Sequence, residues 1–163
     1  MLVVKEAEGS GDIAIARELF LEYQRGLGVD LCFQSFDEEL NALPGRYARP
    51  SGRLLLAAQG ESAIGVVAMR GFHGADCEMK RLYVRPEGRG LGAARLLTAR
   101  LIDEARISGY RRMLLDTLPG MAQAQALYRS LGFSEIGPYC ENPISGTLYM
   151  ALDLLPREVE RRE

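Results

Sequence analysis

Val84-Arg85-Pro86-Glu87-Gly88-Arg89-Gly90-Leu91-Gly92-Ala93-Ala94-Arg95-Leu96-Leu97 is the stretch on which the fold turns. It follows a strand-like run, Glu78-Met79-Lys80-Arg81-Leu82-Tyr83-Val84, that Pro86 stops. It leads into a helical stripe of Leu91, Ala94, Leu97, Leu101, Ile102 and Ala105. Without large side chains at the junction, a ligand can approach the main chain. The free N–H groups of the first helical turn point at it, and the helix dipole favours an anion. Arg85, Arg89 and Arg95 add positive charge, and a pyrophosphate suits that chemistry.

No G-x-x-x-x-G-K-[ST] pattern is present, which excludes a nucleoside triphosphatase loop. A loose dinucleotide fingerprint can be read through Gly88, Gly90 and Ala93, with Asp116 as the distant acid, and it would predict NAD binding. It follows a strand meander, however, where a βαβ unit is required. A ligand-free turn is the bland alternative, but so many glycines weaken a helix without return.

Upstream of the loop, Leu2 to Lys5 reads as a strand, followed by a helix with N-cap candidates Ser10 to Asp12 and an apolar face of Ile13, Ala16, Phe20 and Tyr23. Ser35-Phe36-Asp37-Glu38 has the form of a capping box opening a short helix, which Leu43-Pro44-Gly45 breaks. Arg53 to Ala58 and Ser62 to Met69, separated by Gln59-Gly60-Glu61, form a hairpin with both strands largely buried. Downstream, Ser108-Gly109 closes the long helix, and Arg112 to Asp116 is a strand. Pro119 opens a helix running to Gly132, and Phe133 to Ile136 and Leu148 to Leu152 are the last strands. This order predicts an α/β (α+β) fold: a mixed, mostly antiparallel twisted sheet of six to seven strands with helices on both faces.

The chain has 163 residues, 47% of them hydrophobic and 26% charged, which fits one globular domain over 1–155 with a charged tail over 156–163. A net charge of −2 argues against general attraction to nucleic acid or anionic lipid. No apolar run approaches the ~20 residues of a membrane span, and no signal peptide is seen. Cys32, Cys77 and Cys140 are far apart, and His73 is the sole histidine, so neither a zinc site nor any other metal centre is expected. Three reduced cysteines suit a cytoplasmic protein.

Arg89-Gly90-Leu91-Gly92-Ala93-Ala94 resembles the R-x-x-G-x-[G/A] acyl-CoA signature of the GNAT N-acetyltransferase superfamily. Ala124-Gln125-Ala126-Leu127-Tyr128-Arg129-Ser130-Leu131-Gly132-Phe133 is similar to that family's A-x-x-L-Y-x-x-x-G-F segment. The likeness is specific over residues 53–137 and extends in element order to nearly the whole chain. It implies a GNAT-like acyl-CoA N-acyltransferase fold and acetyl-CoA as cosubstrate. Main-chain groups of Leu82, Tyr83 and Val84 would pair with the pantetheine arm as with an added strand. Amides from Arg89 through Gly90, Leu91, Gly92, Ala93 and Ala94 would cradle the pyrophosphate, with Arg89 or Arg95 meeting it or the ribose phosphate. Tyr128 would act as general acid toward the sulfur. Many relatives carry Asn seven residues before that tyrosine, whereas Met121 stands here.

The implied reaction is direct attack of a primary amine of a small molecule or peptide on acetyl-CoA in a ternary complex. A proton must leave the ammonium, and the departing thiolate must gain one. A strand amide near Leu82 is the expected oxyanion donor. Glu78 is the expected base, with Asp116 as the other carboxylate in reach, either relaying through water. Cys77 and Cys140 read as core residues rather than nucleophiles, and no covalent acyl-enzyme is expected.

Residues 23–53 and 137–147 correspond to the family's acceptor side. They offer the aromatics Tyr23, Phe33, Phe36, Tyr47 and Tyr139, the acids Asp30, Asp37, Glu38 and Glu141, and the cations Arg46, Arg49 and Arg53. Acids suit an ammonium and arginines a carboxylate. A non-catalytic acyl-CoA sensor is the other reading; Met121 favours it and Tyr128 opposes it. Strands near the C-terminus leave an edge through which two subunits can pair as a homodimer.

Overall fold

The computed structural model describes residues 1–28 and 35–154. Its strands are β1 (Leu2–Glu6), β2 (Arg53–Gln59), β3 (Ser62–Gly71), β4 (Asp76–Val84), β5 (Arg112–Thr117), β6 (Ser134–Ile136) and β7 (Leu148–Asp153). Its helices are α1 (Gly9–Leu27), α2 (Phe36–Ala42), α3 (Ala93–Ile107) and α4 (Ala122–Ser130). The seven strands form one sheet in the order β1-β2-β3-β4-β5-β7-β6, and only the β4–β5 neighbours run parallel. The antiparallel meander ahead of the glycine loop removes the βαβ context that a dinucleotide site needs. Among the described residues, no helix is long and apolar enough to cross a membrane. Cys32 and the charged tail lie outside the described residues.

Alternation along the central strands divides the core into two layers. Leu55, Val67, Met69, Met79, Met113 and Leu115 face Leu97 and Leu101 of α3 and Tyr128 of α4. Leu54, Leu56, Val66 and Ala68 face the other way, onto Ala16, Leu19 and Phe20 of α1 and Phe36 and Leu40 of α2. Burial on both faces explains why β2 and β3 read as continuous apolar runs. Each fully buried Leu or Phe contributes roughly 1.5–3 kcal/mol relative to exposure.

Helix ends depart from their sequence signals by a few residues. α1 begins at Gly9, where the Asp12 carboxylate accepts the Glu8 N–H at 2.9 Å, and it ends at Gly28, whose φ of 68° glycine adopts without strain. α2 starts where the capping box predicts, but Ser35 lies at φ 57° and its side chain makes no cap bond. α3 begins at Ala93, so Leu91 falls outside the helix and is exposed rather than part of its buried stripe. α4 begins at Ala122 rather than Pro119, because Pro119 and Gly120 are spent on the turn out of β5.

One irregularity controls the middle of the sheet. The β3–β4 register steps from Val66↔Tyr83 to Ala68↔Lys80, leaving a single residue, Val67, opposite Arg81 and Leu82. This is a β-bulge, and Arg81 takes φ 64° within it. On its other edge β4 pairs with β5 only through Asp76↔Arg112, Cys77↔Met113 and Glu78↔Leu114. β5 stays paired with β7 as far as Thr117↔Leu148. Past Glu78, therefore, β4 leaves β5, and the sheet opens between them.

Away from the opening, Arg53 of β2 is buried and donates from Nε to Glu104 of α3 at 2.8 Å, with Nη1 on the carbonyls of Pro50 and Gly52. Chiefly through this bond, the Glu104 carboxyl is held below its usual value of 4.5. Its contribution to stability is complete above that unfolded value and is lost as pH falls through the lower folded one. Glu104→Gln should cost about 3 kcal/mol in urea unfolding at neutral pH, because Arg53 stays buried without a counter-charge. The difference from wild type should shrink below about pH 4. A constant difference down to acid pH would contradict this assignment.

Candidate active site

The loop between β4 and α3 starts with a 3-10 turn, Pro86–Gly88, on which Gly88 is packed so closely that an added Cβ would lie 2.9 Å from Ile64. Gly90 and Gly92 follow at φ 80° and 82°, left-handed geometry that glycine adopts at no steric cost. A Cβ at either would meet nothing within 4 Å, so backbone conformation sets the residue type there and the space above the loop is open. Gly92 caps α3, and the first main-chain bond back to the loop is Leu96 N–H to Gly92 O at 3.0 Å. Among the described residues, no main-chain bond outside the regular elements uses the amides of Gly90, Leu91, Gly92, Ala93 or Ala94. They are unspent donors at a helix N-terminus.

These amides border a cavity of about 280 Å³ lined by Arg89, Gly90, Gly92, Ala93, Ala94 and Arg95. Leu91 does not line it. Val84, Arg89, Ala94 and Leu127 are shared with a second cavity of about 310 Å³, which Leu82, Tyr83, Met121 and Ala124 also line. Leu82, Tyr23 and Met121 in turn border a third, of about 40 Å³, between the parted strands, where Tyr128, Lys80, Arg81, Asp116 and Thr117 form the wall. The result is one groove from the glycine loop to the opening in the sheet. Along it the β4 edge beyond Glu78 has no strand partner among the described residues, a ready position for an extended chain with amides.

The structure corrects the expected charge of the loop. Arg85 turns away to Glu22 of α1, at 2.7 Å from Nη2, with Glu18 at 3.3 Å. Arg95 donates to the Ser130 hydroxyl at 2.8 Å, and Arg89 donates to the Val84 carbonyl at 3.3 Å. Arg89 and Arg95 remain at the groove with their charges uncompensated by any ion pair among the described residues.

Tyr128 is buried on α4, with its ring against Phe133 at 5.8 Å. Burial, with Tyr23 and Asp116 adding to it, pushes its hydroxyl further above the usual tyrosine value, so the group keeps its proton at any working pH. Glu78 is buried one face away. Its Oε1 accepts Arg70 Nη2 at 2.9 Å and Nε at 3.1 Å, and its Oε2 accepts the Tyr139 hydroxyl at 2.7 Å. Lys80 Nζ stands 3.8 Å from Glu78 and 3.9 Å from Asp116, whose other oxygen accepts Asn142 at 3.2 Å. Glu78 does not itself line the third cavity; Lys80 and Asp116 do.

On the acceptor side the expected residues separate. Glu38, Arg46 and Tyr47 line a further cavity of about 390 Å³ with Glu39 and Arg70. Phe36 is buried beneath the Arg81 guanidinium at 5.0 Å, and Tyr139 covers Glu78. Arg49 and Arg53 are not there: Arg49 pairs with Glu6 at 2.7 Å and Arg53 with Glu104, near the opposite face. Asp30 and Phe33 fall outside the described residues. Burial pushes the Cys77 thiol up to about 12, unsuited to a nucleophile, and His73 is exposed on its turn.

Sequence reasoning missed Lys80 and Arg81. Their signal was two consecutive charges that break the alternation of the strand, which only a bulge can place together on one face.

Comparison with known proteins agrees with this geometry. The acetyltransferase (GNAT) family model matches residues 15–133. An uncharacterised N-acetyltransferase of Schizosaccharomyces pombe is 42% identical over 145 residues, covering 88% of this chain and 89% of that protein. A GNAT-family acetyltransferase from Staphylococcus aureus superposes with TM-score 0.78 at 18% identity, over 95% of this chain and 100% of that one. An acetyltransferase from Salmonella typhimurium, solved with acetyl-CoA, superposes with TM-score 0.68 at 21% identity, over 96% of both chains. The chain belongs to the GNAT family of acetyltransferases. It is an acetyl-CoA-dependent N-acetyltransferase, and the comparisons support acetyl transfer over a non-catalytic sensor.

The ion-pair cluster makes a stability prediction of its own. Glu78→Gln should cost about 3 kcal/mol in urea unfolding, because Arg70 and Lys80 then face a neutral amide. Tyr139→Phe removes one charge-assisted bond and should cost about 1.5–3 kcal/mol. A larger loss for Tyr139→Phe than for Glu78→Gln would mean that the Tyr139 hydroxyl, not the carboxylate charge, holds the cluster.

Proposed function

We propose that this N-acetyltransferase acts on a primary amine of a small molecule or peptide, and that its working groups are those lining the groove. The observation that carries the assignment is the parting of β4 from β5 beside a loop of unspent amides. The residues fit the cosubstrate: open space and free donors at the loop suit a pyrophosphate, and the unpaired β4 edge suits an amide-bearing arm. Arg89, Gly90, Leu91, Gly92, Ala93, Ala94 and Arg95 hold the diphosphate end, Leu91 through its main chain only. Leu82, Tyr83 and Val84 hold the arm. Acetyl-CoA supplies an activated acyl group, transferred as the nitrogen–carbon bond forms and the carbon–sulfur bond breaks.

This chain's own residues manage two protons. The ammonium proton is released through water toward Glu78, which with Lys80 and Asp116 forms a buried charged cluster beside the groove. Both Glu78 oxygens are already hydrogen-bonded, so it acts as the anchor of a relay rather than by direct contact with the amine. Tyr128 donates its proton toward the sulfur and is restored from the same relay. An N–H of β4 near Leu82 faces the acyl oxygen. Glu38, Arg46 and Tyr47 border the acceptor's approach and offer opposite charges to an amine that also carries a carboxylate.

The unit is one acetyltransferase domain over 1–155, with 156–163 as a charged tail, working in the cytoplasm. Cys77 and Cys140 are free thiols, which supports that compartment. The edge of β6 is the surface for homodimer pairing.

Melting with acetyl-CoA, CoA and NAD tests the groove. At about 100-fold over its dissociation constant, acetyl-CoA should add ~2.7 kcal/mol and raise the midpoint by several degrees, with NAD inactive. No rise with acetyl-CoA or CoA would remove the site assignment. Tyr128→Phe should bind acetyl-CoA as wild type does while turnover on an accepted amine falls about 100-fold. Unchanged turnover across pH would take the acid role from Tyr128.

A further inference from the structure

Thr117 closes β5, its main chain paired with Leu148 on the β7 side. Alternation along β5 places it with Met113 and Leu115 on the layer that holds α4 and Tyr128. The residue is 4% exposed, and its hydroxyl is buried with no hydrogen-bond partner among the described residues. Buried hydroxyls are nearly always satisfied, and one left alone costs about 1–3 kcal/mol. Thr117 lines the cavity of about 40 Å³ where the strands part, opposite Leu82 and beside Tyr128. That cavity has room for a small group such as an acetyl, thioester or single amide.

The other polar groups of the wall are occupied or already assigned. Lys80 lies between Glu78 and Asp116, and Arg81 donates to both oxygens of Glu39 at 2.8 and 3.0 Å. Met121, Leu115, Leu118 and Met79 offer no hydrogen bond of ordinary strength. The Tyr23 hydroxyl is hydrogen-bonded with Arg81, which leaves Thr117 and Tyr128 as the other neutral hydroxyls of the wall.

We infer that Thr117 is a cosubstrate-binding residue whose hydroxyl donates a hydrogen bond to a carbonyl oxygen near the thioester end of acetyl-CoA. The inference rests on the groove assignment above. It explains why an unsatisfied hydroxyl is kept where valine, of the same shape and a better strand former, would fit. Its cost in the free protein is recovered when the carbonyl arrives.

The test compares wild type, Thr117→Val and Thr117→Ser by calorimetric titration with acetyl-CoA and with CoA, and by melting without ligand. Thr117→Val should bind acetyl-CoA about three- to tenfold more weakly, the worth of one hydrogen bond, and Thr117→Ser should bind close to wild type. Ligand-free Thr117→Val should melt at the wild-type temperature or above it, because a lone buried hydroxyl has been replaced by a methyl. Equal weakening toward CoA identifies an amide carbonyl of the arm as the partner; weakening toward acetyl-CoA alone identifies the acetyl carbonyl. Unchanged affinity in Thr117→Val overturns the inference, and a lower melting point alongside it would show the hydroxyl bonded within the protein. Failure of wild type itself to bind acetyl-CoA strikes the groove assignment instead, so the two readings fail separately.

Discussion

The active side of this molecule depends on a short break in sheet pairing. β4 and β5 share three register pairs and then part, while the antiparallel pairs around them continue. A sheet whose strands stayed paired would bury its amides in its own ladder and have no room for a guest. The bulge opposite Val67 bends β4 away, and Pro119, which cannot donate a ladder hydrogen bond, follows closely on the end of β5.

Holding that bend has an energetic cost that other contacts offset. Arg81 is a non-glycine residue at φ 64°, a geometry that costs roughly 1–2 kcal/mol. Its side chain is buried, bidentate on Glu39 of α2, and stacked over Phe36. The strained residue is thus fastened to α2, so the opening of the sheet and the wall of the cavity proposed for the acceptor are tied together by one ion pair. Strain that persists beside a site because its surroundings over-determine it is a recurring pattern.

A second organising feature is the separation of charge. On the α1–α2 face, the buried Glu78 and Lys80 and the half-buried Arg70 and Asp116 form a connected cluster that Tyr139 and Asn142 complete. On the other layer the wall of the groove is largely apolar, with hydroxyls from Tyr128 and Thr117. In the mechanism proposed above, the first environment takes up the ammonium proton, and the second holds water away from the acyl group beside a Tyr128 that burial keeps protonated until it donates.

The glycine loop, the alternation of β2 and β3, the stripe of α3 and the segment around Tyr128 were all legible in the sequence, because each expresses local geometry: a left-handed φ, a period of two, a period of 3.6. The sequence by itself therefore determined the fold class, the family and the position of the glycine loop. Only the tertiary structure decided which charges remain free. Arg85 is drawn off by Glu22, Arg49 by Glu6 and Arg53 by Glu104, partners 43 to 63 positions distant that no local pattern reveals. It also decided that Glu78 is already engaged by Arg70 and Tyr139, and that Lys80, Arg81 and Thr117 stand at the opening. Ion pairing and hydroxyl satisfaction depend on separations of a few ångströms between elements far apart in the chain, and spacing along the sequence carries no record of them.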